Sequence, residues 1–132
     1  MKPVARQLLA LLLLAVTPLL AQTPAPAPAP PPAKTWYVRL NPPRPTFAQD
    51  MTPAEGALMD QHFAYWKEQY AKGICVFGGP VLDPKGVYGV LAVDAATEDE
   101  ARALGEGDPS VKAGMNHIEI AEMRAVFLHR AS

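Results

Sequence analysis

Two side chains in this sequence have the types needed to pass a proton back and forth, His62 and Asp108. An imidazole that titrates near neutrality can accept and return a proton, and a half-buried cleft with a nearby carboxylate tunes that exchange. A partner carboxylate also holds the ring tautomer and stabilises the protonated ring. The two residues stand 46 positions apart (108 − 62), so only the fold can join them. Each also has an ordinary structural use. His62 follows Met59 by three residues and adjoins Phe63, with Leu58 and Tyr65 at helical spacing, so it can serve as filler at the margin of an apolar helix stripe. Asp108 precedes Pro109 in the pattern of a helix N-cap. The two uses of Asp108 are compatible if one oxygen caps while the other orients an imidazole.

Further candidates carry less chemistry. Arg44, with Asp50, lies in a long loop that can cover a cleft, and its donor fork suits an anionic substrate; a solvated surface role is the alternative. Gly79 and Pro80, after Gly78, either let a ligand approach the backbone closely and so bind substrate, or simply end a strand. Lys112 can attract an anion near the cleft or remain exposed. Cys75 falls inside an apolar strand as a small buried thiol without an activating partner. His117 and Glu119 share one strand face but have no third ligand, so no metal site is expected. His129, close to the end of the chain, reads as solvated. A phosphate-cradling glycine loop and a nucleophile elbow are both missing from the sequence, and proton transfer alone calls for no cofactor.

The chain has 132 residues, room for one ordinary domain, and its formal charge is 12 − 13 = −1. That balance does not supply the dense positive charge of a nucleic-acid binder. A single cysteine rules out an internal disulfide and a multi-cysteine zinc or iron–sulfur site. Residues 1–21 read as an export signal: Lys2 and Arg6 precede an almost unbroken apolar run from Leu8 to Leu20. That run is shorter than the roughly 20 residues a membrane-spanning helix needs, although retention as an uncleaved anchor is the alternative. No cysteine lies near its end to carry a lipid. Residues 22–33, ending TPAPAPAPPPA, favour a stiff polyproline II tether. Loss of the signal would leave 10 − 13 = −3, an exported, mildly acidic body in the periplasm or outside the cell.

Residues 34–132 form the expected domain. Thr35 to Leu40 alternates as a strand, with Trp36, Val38 and Leu40 on one face. Asn41 to Asp50 is expected to be an irregular loop. Thr52-Pro53-Ala54-Glu55 has capping-box form and predicts a helix to about Lys72, stopped at Gly73 and buried along Met59, Phe63, Trp66 and Tyr70. A second strand, Ile74 to Phe77, is predicted to halt at Gly78-Gly79-Pro80. After a turn at Asp83 to Gly86 comes an antiparallel strand, Val87 to Asp94. Thr97 to Glu100 repeats the capping form at the start of a shorter helix with acidic Glu98, Asp99 and Glu100 in its first turn. Asp108-Pro109 can open one more helical turn, closed at Gly114, and Met115 to about Leu128 holds the last strand or strands. The order βαββαβ suits an α+β, ferredoxin-like sheet with two helices on one face. The uncovered face should then carry apolar residues from several strands, and face-to-face homodimerisation is expected.

With these residues in view, the body from Tyr37 to Phe127 resembles the YCII-related (YciI-like) family. The markers are the helix His62 with Tyr65, Gly73, the Gly79-Pro80 strand end, Ala101-Arg102-Ala103-Leu104, and Asp108-Pro109-Ser110-Val111-Lys112-Ala113-Gly114. The resemblance implies a dimeric α+β barrel with a ferredoxin-like protomer and a His62–Asp108 dyad at its active site. One branch of that family looks like a dehydrochlorinase acting on a chlorinated hydroxyhydroquinone. The Arg44-Pro45-Thr46-Phe47 loop and the export signal depart from the shortest members. Two readings follow. One is an exported small-molecule enzyme using proton transfer for hydrolysis, elimination or isomerisation. The other is a non-catalytic dimeric module that binds a ligand or an envelope partner.

Overall fold

A computed structural model of the chain describes residues 33–124 and 126–127. The export signal, the linker as far as residue 32, and His129 lie outside the described residues. The elements run β1 (Lys34–Asn41), α1 (Phe47–Asp50), α2 (Pro53–Ala71), β2 (Cys75–Val81), β3 (Tyr88–Ala95), α3 (Glu98–Glu106), α4 (Pro109–Lys112) and β4 (His117–Met123). The four strands form one antiparallel sheet in the order β2-β3-β1-β4, consistent with the ferredoxin-like arrangement.

Alternation on β1 decides which face is the core. Trp36, Val38 and Leu40 are buried, and Val93 and Leu91 on β3 lie opposite Trp36 and Val38 in the ladder. These residues join Trp66 of α2 and Ala101 of α3 in a single cluster, extended by Leu104, Val111, Ile118 and Ile120. Each fully buried aliphatic of this kind is worth about 1.5–3 kcal/mol.

The capping box that opens α2 is complete: Thr52 accepts from the Glu55 amide and Glu55 accepts from the Thr52 amide. Thr97 likewise caps α3 through the Glu100 amide, but the Glu100 carboxylate reaches one residue further back, to the Ala96 amide. Gly73 at φ 74° and Gly114 at φ 71° end their helices in the left-handed region that glycine tolerates best.

Three expectations need correction. The loop from Asn41 to Asp50 contains a helical turn, α1, held down by buried Phe47. The second strand does not halt at Gly78-Gly79-Pro80 but continues to Val81, pairing Gly79 with Val90 and Pro80 with Gly89. Proline is tolerated there because β2 is an edge strand, with no neighbour on its outer side among the described residues. Finally, the buried stripe of α2 is His62, Trp66 and Gln69, while Phe63 and Tyr70 are exposed. Apolar side chains are spread almost evenly around this helix, so their spacing did not single out the inward face.

The face of the sheet turned away from the helices is mixed. Phe77, Val90, Tyr37, Ala121 and Met123 give it an apolar component from all four strands. Across it runs a polar strip: Arg39 covers the Tyr88 ring at 3.8 Å and donates to Asn41 at 2.8 Å, and Asn41 donates to Glu119 at 2.8 Å.

One hydrogen bond ties α2 to the end of α3. Tyr65 on α2 donates to the Leu104 carbonyl at 2.7 Å. A Cβ at Gly107 would stand 2.6 Å from the Tyr65 hydroxyl and 3.1 Å from the Ala103 carbonyl. Gly107→Ala is expected to destabilise the fold by about 1–3 kcal/mol. Thermal unfolding of Gly107→Ala beside Gly79→Ala, where an added Cβ meets nothing within 4 Å, measures the difference.

Candidate functional site

The chain leaves α3 through Gly107 and turns into α4 at Asp108, which is 0% exposed. A carboxylate removed from water this completely needs donors on both oxygens, and it has four. Oδ1 accepts from the Ser110 amide and the Ser110 hydroxyl, each at 2.8 Å. Oδ2 accepts from the Trp66 indole N–H at 2.7 Å and faces His62 Nδ1 at 2.6 Å. One oxygen therefore caps α4 while the other holds two side chains of α2. Behind Ser110, Asn116 donates to the serine hydroxyl at 2.9 Å.

Burial pushes the Asp108 carboxyl up, but the His62 hydrogen bond and charge, with the bonds from Trp66 and the Ser110 amide, outweigh it and leave the group below the usual carboxylate range. Asp108 is thus an anion that only accepts hydrogen bonds, and His62 directs its Nδ1–H to it. The other ring nitrogen, Nε2, has no hydrogen-bond partner among the described residues. His62 is 9% exposed, and it borders a cavity of about 650 Å³. The cavity lies between α1, α2 and the β2–β3 edge of the sheet, with walls that are mainly apolar and include Phe47, Met59, Trp66 and Leu91. A mostly apolar hollow with a few convergent polar groups is the usual form of a small-molecule site.

The YCII-related domain family matches residues 35–124, more than half of the chain and all four strands. The chain belongs to the YCII-related family. A solved structure similar to this YCII-related chain is 5-chloro-2-hydroxyhydroquinone dehydrochlorinase from Burkholderia phenoliruptrix AC1100, in complex with 2,5-dihydroxybenzoquinone. The likeness has a TM-score of 0.51 and 22% identity over 67% of this chain and 93% of that one. It is a likeness of fold, a small α+β unit with a four-stranded antiparallel sheet. No curated protein sequence matches the chain.

The remaining candidates of the YCII-related chain divide by position. Gly79 and Pro80 border the cavity. Gly78 beside them is required by packing, since a Cβ there would collide with Leu91. Arg44, expected to hold an anionic substrate, does not border the cavity. Its fork is spent on Glu55 at 2.7 and 2.9 Å, and on the side chain and carbonyl of Asp50 at 2.7 and 2.9 Å. Arg44 instead fastens the loop carrying α1 to the start of α2, and these bonds, then the one from the Thr52 amide, hold the Glu55 carboxyl down at about 2. Cys75 borders the cavity, and burial pushes its thiol up, away from the reactive thiolate. Lys112, His117 and Glu119 are exposed and do not border it.

Three partners escaped the sequence reading. Trp66 stands one helical turn beyond His62, a spacing that places both on one face and was a usable signal. Ser110 was visible only as part of the Asp108-Pro109-Ser110 motif. Asn116 carried no signal, because its role depends on where the chain returns to β4.

Removing the Asp108 side chain strands three polar partners, and Asp108→Ala is expected to cost about 3–5 kcal/mol. Because its folded-state carboxyl lies below the unfolded value, Asp108 contributes fully above about pH 4. That stability is lost as the pH falls through the depressed folded value. Denaturant titrations between about pH 5 and pH 2 should show a steeper acid loss for the wild type than for Asp108→Asn.

Proposed function

We propose that this YCII-related chain is an exported, homodimeric enzyme that moves a proton on a small, largely apolar substrate without a cofactor. The observation that carries this reading is the 2.6 Å contact between buried Asp108 and His62 at the wall of the cavity. The Asp108 anion receives Nδ1–H, and in its neutral form the His62 ring offers its Nε2 lone pair to the cavity. A substrate O–H or C–H, or a water beside it, loses its proton to Nε2. The resulting imidazolium is stabilised by the carboxylate at Nδ1, and Nε2–H then protonates a leaving group or a neighbouring atom of the same substrate. That cycle suits elimination, isomerisation or hydrolysis. Elimination gains support from the name of the structurally similar dehydrochlorinase. Gly79 and Pro80 present backbone to the substrate on the side of β2.

Export to the periplasm or the exterior rests on the basic start, the apolar run and the Pro/Ala tether of residues 1–33. Dimerisation rests on the mixed sheet face, whose Phe77 is exposed and whose apolar residues come from every strand.

Turnover in a panel of small hydroxylated and halogenated aromatic compounds tests the chemistry. Against any substrate found, His62→Asn and Asp108→Asn are each expected to lower kcat by about 10²–10⁴-fold, with a much smaller change in KM. Turnover surviving both substitutions would reassign the cavity to a non-catalytic ligand-binding or envelope interaction module. For the assembly, light scattering is expected to give twice the protomer mass for the wild type and a single protomer for Phe77→Asp/Val90→Asp. A wild-type monomer removes the dimer from the proposal.

A further inference from the structure

The ionised Asp108 dictates the direction of every hydrogen bond around it. An anionic carboxylate donates nothing, so the Ser110 hydroxyl, 2.8 Å from Oδ1, must spend its one proton there. Only acceptor capacity remains on that hydroxyl, and Asn116 lies 2.9 Å from it. The Asn116 amide is therefore obliged to turn its NH2 toward Ser110 and its carbonyl Oδ1 away. His62 obeys the same rule at Nδ1, which carries a proton toward Asp108, and in the neutral ring the lone pair is then on Nε2.

His62 and Asn116 both border the cavity. Neither His62 Nε2 nor Asn116 Oδ1 has a hydrogen-bond partner among the described residues. Every fully buried side-chain nitrogen or oxygen described there is paired, so these two atoms remain reachable. Beside the backbone that Gly79 and Pro80 present, the inner side-chain atoms left for a ligand are thus two acceptors while the His62 ring is neutral. Lys67 and Tyr70 border it as well but are exposed, and Tyr88 lies with its ring under Arg39. The Arg44 fork is occupied elsewhere.

We infer that Asn116 Oδ1 is a second ligand-contacting atom, which with His62 Nε2 selects neutral, ring-sized ligands bearing two hydrogen-bond donors over acceptor-only analogues and carboxylates. The aromatic and thioether walls favour a flat apolar body. A ligand with acceptors only would set lone pair against lone pair and leave Asn116 Oδ1 unpaired out of water. A carboxylate adds repulsion from Asp108 and finds no inner side-chain donor while His62 is neutral. His62 changes from acceptor to donor when it is protonated, whereas Asn116 stays an acceptor because Ser110 and Asp108 hold it so. This inference deepens the proposed function and rests on its reading of the cavity as the site.

The test masks donors one at a time on a constant framework. The ortho, meta and para benzenediols, their mono- and dimethyl ethers, and benzoate are titrated under argon while NMR follows the His62 imidazole resonances. The best-fitting diol is expected to bind about fivefold tighter than its monomethyl ether, and more than tenfold (~10–25-fold) tighter than its dimethyl ether, with benzoate weaker than the monoether. In Asn116→Leu the diol and the monoether should converge while the monoether still shifts His62. In Ser110→Ala, where the Asn116 amide is free to turn, the same gap should narrow. Equal binding of diols and dimethyl ethers, preference for benzoate, or an unchanged gap in both variants overturns the inference. The wild-type series decides alone if a variant fails to fold. In those outcomes a shifted His62 leaves the acid–base reading standing, whereas no shift with any probe overturns both.

Discussion

A carboxylate enters a protein interior only if donors replace the water it gives up. Asp108 meets that demand with four donors drawn from two parts of the chain, Trp66 and His62 on α2 and the amide and hydroxyl of Ser110 on α4. The same bonds therefore dock α2 against α4, cap the shorter helix and fix the tautomer of the histidine. Structure and chemistry share one group here. A weaker donor set would let burial push the carboxyl up, and His62 would keep less of the anion that makes its far nitrogen a base.

The cavity exists because α2 covers the sheet without sealing it. Its inward face at His62, Trp66 and Gln69 closes on the core, while Phe63 and Tyr70, turned aside, become walls and mouth of the hollow. The loop carrying α1 forms the remaining side, with Phe47 inserted and Arg44 tying the loop to the start of α2 through Glu55. Arg44 thus shapes the site from behind its wall. A guanidinium with four of its five donors engaged by Glu55 and Asp50, and placed outside the cavity lining, is not set to hold an anion in the hollow.

Much of the fold was legible in the sequence because its signals are local. The alternation of Trp36, Val38 and Leu40, the Thr52 and Thr97 caps, and the glycine stops at Gly73 and Gly114 each act within a few residues. The errors came where local signals are silent. Proline at position 80 breaks a central strand but not an edge, and only sheet order tells which β2 is. An apolar residue on α2 reads the same whether it faces a core or a ligand cavity, so Phe63 and Tyr70 were misplaced.

What the amino-acid order determined by itself was the four strands, the two longer helices, their βαββαβ succession and the residue types capable of proton exchange, since capping, periodicity and side-chain chemistry need no distant partner. Tertiary structure alone decided that His62 and Asp108 meet, that Trp66 and Ser110 complete the donor set, that Asn116 turns its carbonyl from Ser110, and that Arg44 does not reach the cavity. The physical reason is that hydrogen-bond direction inside the protein is settled by mutual exclusion among donors and acceptors. That accounting begins only when groups far apart in the chain are confined in one water-poor place.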